Sequence, residues 1–216
     1  MDMETTQNEK IEIDKKREQE GTFFATVSRM KYIDRWALMR NTRTENLSVH
    51  SLEVAMIAHA LCVIGNTRYG KNLNAEKAAL IGIYHDASEI ITGDMPTPVK
   101  YYNQTLKEAY KDVERQAEYK LLEKLPQDMQ PFYQEILMYN GKDANELYMR
   151  KLVKAADKLS AYIKCIEETT SGNQEFRTAR ETIRSSLEKK RAEMPEVNDF
   201  MQECLPSYGK TLDELS

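Results

Sequence analysis

Along most of the chain apolar residues recur three or four positions apart, the period of an amphipathic helix, and no stretch alternates convincingly at the period of a β-strand. Glycine and proline are scarce, eight and six residues among 216, and they fall between the periodic stretches as punctuation. A first helix is predicted from about Phe23 into RMKYIDRWALM, with Arg35 and Trp36 near its end and RNTRTENLS as a polar loop. Ser48 can cap a second helix, VHSLEVAMIAHALCVI, with Leu52, Met56 and Val63 along one side and Gly65 available for a left-handed terminal turn. Asn74 can cap a third, AEKAALIGIYHDASEII, which holds His85, Asp86 and Glu89 and closes at Gly93.

After the loop GDMPTPVKYYN, a charged amphipathic helix over 106–125 stops at Pro126, and a shorter helix spans about 131–139. A long helix opens after Asp143, carries Asp157 in its middle and stops near Gly172. Asn173 opens another that ends before Pro195, a shorter one runs to about Leu205, and Thr211 with Glu214 forms a capping box. The predicted fold class is all-α, a compact bundle of about six to eight helices.

This length suits a single domain, expected over 21–216. The preceding stretch 1–20 is dense in charge, lacks the apolar core of a signal peptide and reads as a solvated, frayed extension. Hydrophobic residues make up 41% and charged residues 31%, with both signs interspersed, which predicts a soluble protein with no membrane partner. A formal net charge of -4 offers no general attraction to a nucleic-acid polymer, although a small anionic substrate needs only a few local cations. Cys62, Cys165 and Cys204 are odd in number and form no CxxC pattern, which fits a reducing cytoplasm.

One feature of the third helix is chemically out of place: His85, Asp86 and Glu89 interrupt a largely apolar run. Burying an unpaired carboxylate costs several kcal/mol, so a compensating group is needed. A divalent cation can supply it, because imidazole and carboxylate suit zinc, manganese, iron or cobalt. An isolated HD dipeptide is weak evidence, since a core histidine bonded to a neighbouring aspartate gives the same pattern. The pattern gains weight from His50 upstream and from Asp157 downstream among Ala155, Ala156, Leu159 and Ala161, which lets three helices converge on one ion. Glu89 lies four residues from His85 and three from Asp86, as a ligand or a proton-transfer group. His59, between Met56 and Val63, reads as a packed structural histidine.

The order His50, His85-Asp86, Asp157 resembles the HD-domain metal-dependent phosphohydrolases. The segments FFATVSRMKYIDRWALMRNTRTENLSVHS, YHDASEIITGDMPTPVKY and KAADKLSAYIKCIEE narrow the resemblance to the bacterial HD-domain 5'-deoxynucleotidases, over almost the whole chain after the leader. The resemblance implies hydrolysis of deoxyribonucleoside 5'-monophosphates to deoxyribonucleoside and phosphate. It implies one divalent cation, cobalt, manganese or zinc, held by His50, His85, Asp86 and Asp157, and a homodimer. By the same resemblance Arg35 binds phosphate, and Trp36 packs on the deoxyribose and disfavours a 2'-hydroxyl. Glu89 shuttles a proton, Asp94 orients water or assists the leaving oxygen, and Thr97 and Lys100 contact substrate.

On the residues alone, Arg35 serves equally as an ion-pair partner, Trp36 as a packing residue, Asp94 as a turn residue, and Thr97 and Lys100 as solvated loop positions. Val49 departs from the pattern, which leads one to expect an acidic residue before the first metal histidine. Three other readings stand beside the deoxynucleotidase: an HD triphosphohydrolase or phosphodiesterase, a non-catalytic nucleotide or metal sensor, and a purely structural helical protein. Retention of His50, His85, Asp86, Asp157, Glu89 and Arg35 favours catalysis, and the short GDMPTPVK loop favours monophosphates.

Overall fold

The computed structural model describes residues 21–100 and 102–216, without the side chains of Thr97 and Pro98; the expected extension over 1–20 lies outside the described residues. Among those residues the regular structure is helical, apart from one isolated antiparallel bridge between Asp34 and Asn46. The α-helices are α1 (Phe23–Val27), α2 (Leu47–Tyr69), α3 (Ala75–Tyr84), α4 (Glu89–Thr92), α5 (Thr97–Lys100) and α6 (Gln104–Leu122). They continue as α7 (Gln130–Leu137), α8 (Ala144–Thr170), α9 (Arg177–Glu193), α10 (Pro195–Glu203) and α11 (Leu212–Leu215), with 3-10 turns at Ser28–Tyr32, Gln174–Phe176 and Leu205–Ser207. The all-α expectation holds.

The chain divides into two compact units, one comprising 34–86 and 140–216, the other 87–139 with the segment before Asp34. In the first, α2 packs on both α3 and α8, and α9 lies against α8. Its core is built from Val54, Ile57, Leu61, Leu152, Leu159, Ile163 and Phe176, all buried. The crossing of α2 and α3 needs a glycine, since a Cβ at Gly82 would stand 2.7 Å from the Ala55 Cα, with main chain where a side chain would have to go. That approach brings the beginning of α2 close to the end of α3. Helix α2 is also the one described helix long and apolar enough to cross a membrane; half of its apolar window is buried within the protein, and it carries the buried His50.

In the other unit, Phe23 is fully buried, with its ring centroid 5.1 Å from that of Tyr133. The Gly21 N–H donates to the Lys124 carbonyl at 2.7 Å, and Tyr110, Ala117, Leu121 and Leu125 are buried along and after α6.

Several caps fall where the sequence puts them. Asn74 accepts from the Lys77 N–H, Asp143 accepts from the Glu146 N–H, and Thr211 and Glu214 form their reciprocal box. Others differ. Asn46, not Ser48, caps α2, accepting from the Val49 N–H, and Ser48 lies inside the first turn. Gly65 does not end that helix: Gly70, at φ 61°, does. Gly65 instead leaves room for the fully buried Glu196, whose Oε1 would stand 2.9 Å from an added Cβ. Glu196 accepts from the Tyr148 hydroxyl at 2.8 Å and pairs with Lys71 at 2.6 Å. His59 is exposed rather than packed.

Candidate metal centre

Two helices of the first unit and the turn that follows a third supply the centre. His50 comes from the first turn of α2 and is fully buried. Asp157 comes from the middle of α8 with its side chain 41% exposed, so the centre opens to solvent on that side. His85 and Asp86 stand just after α3 in a turn, where the sequence periodicity had placed them inside one continuous helix. His85 caps α3, and its Nδ1 donates to the Gly82 carbonyl at 2.8 Å.

The two imidazoles are held alike. His50 Nδ1 lies 2.9 Å from Ser160 Oγ, and that hydroxyl donates its hydrogen to Glu53 at 2.5 Å. With Glu53 ionised, Ser160 accepts from His50, which puts the ring proton on Nδ1 and the lone pair on Nε2. A carbonyl can only accept, so His85 has its Nδ1 protonated too. Both Nε2 atoms are buried without a hydrogen-bond partner. Yet carboxylate oxygens crowd them: Asp157 Oδ1 is 3.2 Å from the His50 Nε2, and Asp86 Oδ2 is 3.6 Å from it and 3.1 Å from the His85 Nε2.

Ligand atoms of His50, His85 and Asp157 all fall within 4.8 Å of one another, and Asp86 faces both imidazoles. Buried polar groups normally find partners, so two orphaned imidazole nitrogens aimed at two carboxylates fit a cation between them. Histidine and aspartate suit zinc, manganese or cobalt alike.

Electrostatics in the cluster separate the two imidazoles. Burial lowers the pKa of His50. Burial also opposes charge on His85, but Asp86 and Asp157 outweigh it and raise that imidazole to about 9. Burial would raise both carboxyls, yet His85 holds Asp86 below its usual range and His50 and His85 do the same for Asp157. Glu53, behind Ser160, is pushed up to about 7 by burial.

Arg35 and Trp36 lie past the end of the first helical segment, in a turn of the chain. Arg35 Nη1 is 3.4 Å from Asp86 Oδ2, and its Nε is 3.4 Å from Glu45 Oε2. The Trp36 indole N–H donates to the same Glu45 oxygen at 2.9 Å, and its ring centroid is 5.4 Å from that of Phe176. The loop that follows is tied to α8 by Glu168, which accepts from the Thr42 N–H and hydroxyl, the Arg43 N–H, Asn173 and Lys164. Burial alone would raise the Glu168 carboxyl, but Lys164 and these donors hold it far below the usual range.

Six of the expected site residues thus come together: Arg35, Trp36, His50, His85, Asp86 and Asp157. Glu45, Glu53 and Ser160 join them and were not foreseen. Ser160 carried a signal, since it lies three residues from Asp157 on the same face of a helix. Val49 is 54% exposed, on the outside of α2, while Glu53 one turn further on supplies a carboxylate behind His50 through Ser160.

The remaining expected residues belong to the other unit. Glu89 is buried and opens α4; Asp94 follows Gly93, whose φ is 75°. Lys100 pairs with Glu114 at 2.5 Å and lies 4.7 Å from the Tyr110 ring centroid. The side chain of Thr97 is outside the described residues.

The fold is similar to that of an HD-domain phosphohydrolase from Listeria innocua, with TM-score 0.74 and 26% identity over 87% of this chain and 88% of that one. It is also similar to the HD phosphohydrolase of cyanophage S-2L, a structure bound to dA and one catalytic zinc ion, with TM-score 0.56 and 18% identity over 82% and 91%. Fold and His/Asp cluster together define an HD-domain phosphohydrolase. Residues 22–208 match the YfbR-like 5'-deoxynucleotidases, and a 5'-deoxynucleotidase of Erwinia tasmaniensis is 48% identical over 194 residues, 90% of this chain and 96% of that relative. The chain belongs to the YfbR-like 5'-deoxynucleotidase family.

Proposed function

We propose that this chain is a metal-dependent 5'-deoxynucleotidase that hydrolyses deoxyribonucleoside 5'-monophosphates to deoxyribonucleoside and phosphate. The observation that carries the reading is the pair of orphaned Nε2 atoms of His50 and His85 facing Asp86 and Asp157, in a chain of this family. Those four residues hold one divalent cation, zinc, manganese or cobalt; the zinc in the phage HD phosphohydrolase supports that choice of class. Such a cation supplies positive charge for phosphate oxygens and makes water a stronger nucleophile near neutral pH.

The chain's own groups do the rest. Arg35 presents its guanidinium to the phosphate and offsets charge that builds on the phosphoryl oxygens. Trp36 packs on the sugar. Glu89 takes the proton of the attacking water, and Asp94 orients that water or assists the leaving 5'-oxygen. Thr97 and Lys100 contact substrate. Residues 21–216 act together as one catalytic domain.

The test is phosphate release from ribo- and deoxyribonucleoside mono- and triphosphates, with chelator and with zinc, manganese or cobalt restored. Release from deoxyribonucleoside monophosphates that chelator abolishes and metal restores is expected. Metal-independent release would overturn the mechanism, and release from triphosphates alone would overturn the substrate.

The protein works as a homodimer in the cytoplasm, with no membrane or nucleic-acid polymer as partner. The exposed apolar stripe of Leu52, Met56 and Val63 on α2, with Leu80 and Ile83 on α3, supports the dimer, and three unpaired cysteines suit a reducing compartment. Equilibrium sedimentation is expected to give twice the chain mass; a monomer at micromolar concentration would overturn this.

A further inference from the structure

Glu45 lies in the polar loop before α2, yet it is buried. Its backbone carbonyl accepts from the Arg35 N–H at 2.9 Å. One side-chain oxygen, Oε2, faces both the Trp36 indole N–H at 2.9 Å and the Arg35 Nε at 3.4 Å. The other, Oε1, stands 3.9 Å from His50 Nδ1. A single residue thus contacts the group assigned to phosphate, the group assigned to sugar and the back of a metal-ligating imidazole.

Trp36 needs such a clasp. Among the described residues it is the one non-glycine with φ in the left-handed region, at 58°, a conformation that bulky side chains rarely adopt and that persists only when its surroundings enforce it. Asn41 helps from the main-chain side, donating to the Trp36 carbonyl at 3.2 Å. Phe176 supports one side of the ring. Neither fixes the rotation of the indole; a hydrogen bond from Nε1 to a buried carboxylate does, and such a charge-assisted bond is stronger than a neutral one.

We propose that Glu45 is the positioning residue for sugar selectivity, locking Trp36 and Arg35 into one rigid unit beside His50. The proposal rests on the substrate reading above, in which Trp36 packs on the deoxyribose and excludes a 2'-hydroxyl. Without Glu45 the indole gains rotational freedom and the space for a 2'-hydroxyl opens, so ribonucleotides gain relative to deoxyribonucleotides.

Trp36 is the chain's only tryptophan, so its fluorescence reports on this site without any turnover. In Glu45→Ala the kcat/KM ratio of deoxyribo- over ribonucleoside monophosphate is expected to fall by roughly tenfold or more, with Trp36 emission shifted to the red and more readily quenched by acrylamide. Glu45→Gln keeps an acceptor for the indole but loses the charge facing Arg35, so it should retain most of the selectivity and the emission while raising KM for both substrates. It also stands in if the alanine variant does not fold. An unchanged ratio and unchanged emission in Glu45→Ala, or an equal fall in kcat for both sugars, would overturn the proposal. If the wild-type protein itself hydrolyses neither nucleotide or does not discriminate, the substrate reading fails and the selectivity claim with it, while the emission of the two variants still decides whether Glu45 clasps Trp36.

Discussion

Replacing Asp157 by alanine is expected to remove metal binding and phosphate release together, whereas replacing Glu89 by alanine should leave the metal in place and slow turnover alone. The reason lies in what each carboxylate faces. Asp157 Oδ1 is 3.2 Å from the His50 Nε2 and within the ligand group completed by His85. Its loss leaves two imidazoles and one carboxylate, removing one ligand and one of the two aspartate charges beside the imidazoles. Disturbing merely the groups that orient metal ligands lowers affinity by about 10- to 100-fold, so loss of a ligand should exceed that. Glu89 lies three residues beyond Asp86, at the start of a separate short helix, and is assigned to proton transfer. Removing such a group slows turnover by about 10²- to 10⁴-fold without a demand on the metal. Metal content after dialysis, measured beside phosphate release, separates the two. Loss of metal from Glu89→Ala would make Glu89 a ligand and reverse the division of roles.

What the sequence revealed, and what it hid, follows from the range of the forces involved. Asn74 and Asp143 were legible because a cap is a local event, one side chain bonding an N–H three residues on. The start of α2 was misread because Asn46 and Ser48 both offer a capping oxygen to neighbouring N–H groups, and only the backbone conformation decides between them. Gly65 looked like a helix end because a glycine that makes room for a neighbour gives the same local signal as one that ends a helix. The neighbour, Glu196, lies more than a hundred residues away.

His59 was misjudged for a different reason. Helix α2 is apolar on several faces: Val54, Ile57 and Leu61 are buried while Leu52, Met56 and Val63 are exposed. Periodicity cannot then say which face is inside. The break before α4 carries neither proline nor glycine to announce it, and His85 and Asp86 stand in it. The cluster of His50, His85, Asp86 and Asp157 was visible as a candidate because polar residues in apolar helices stand out against their neighbours. Glu45 was not, because it sits among the polar residues of RTENLS, where a functional carboxylate and a solvated one look alike.

Arg35→Lys should be nearly as damaging as removal of the side chain, although it conserves the charge. Arg35 spans two carboxylates, with Nε toward Glu45 and Nη1 toward Asp86, each at 3.4 Å. A planar guanidinium can engage both and still direct N–H groups at a phosphate in a fixed orientation; an ammonium on a flexible stem is a single point charge and cannot do both. Beside Asp86 it would either pair with that carboxylate or reach for the phosphate. Losing one well-placed donor to a developing negative charge lowers kcat by about 10²- to 10³-fold, and a fall of that order in kcat/KM is expected for Arg35→Lys, with metal content unchanged. Near wild-type turnover in the lysine variant would reduce Arg35 to a partner of Asp86 and Glu45, and the phosphate would then need another cationic anchor.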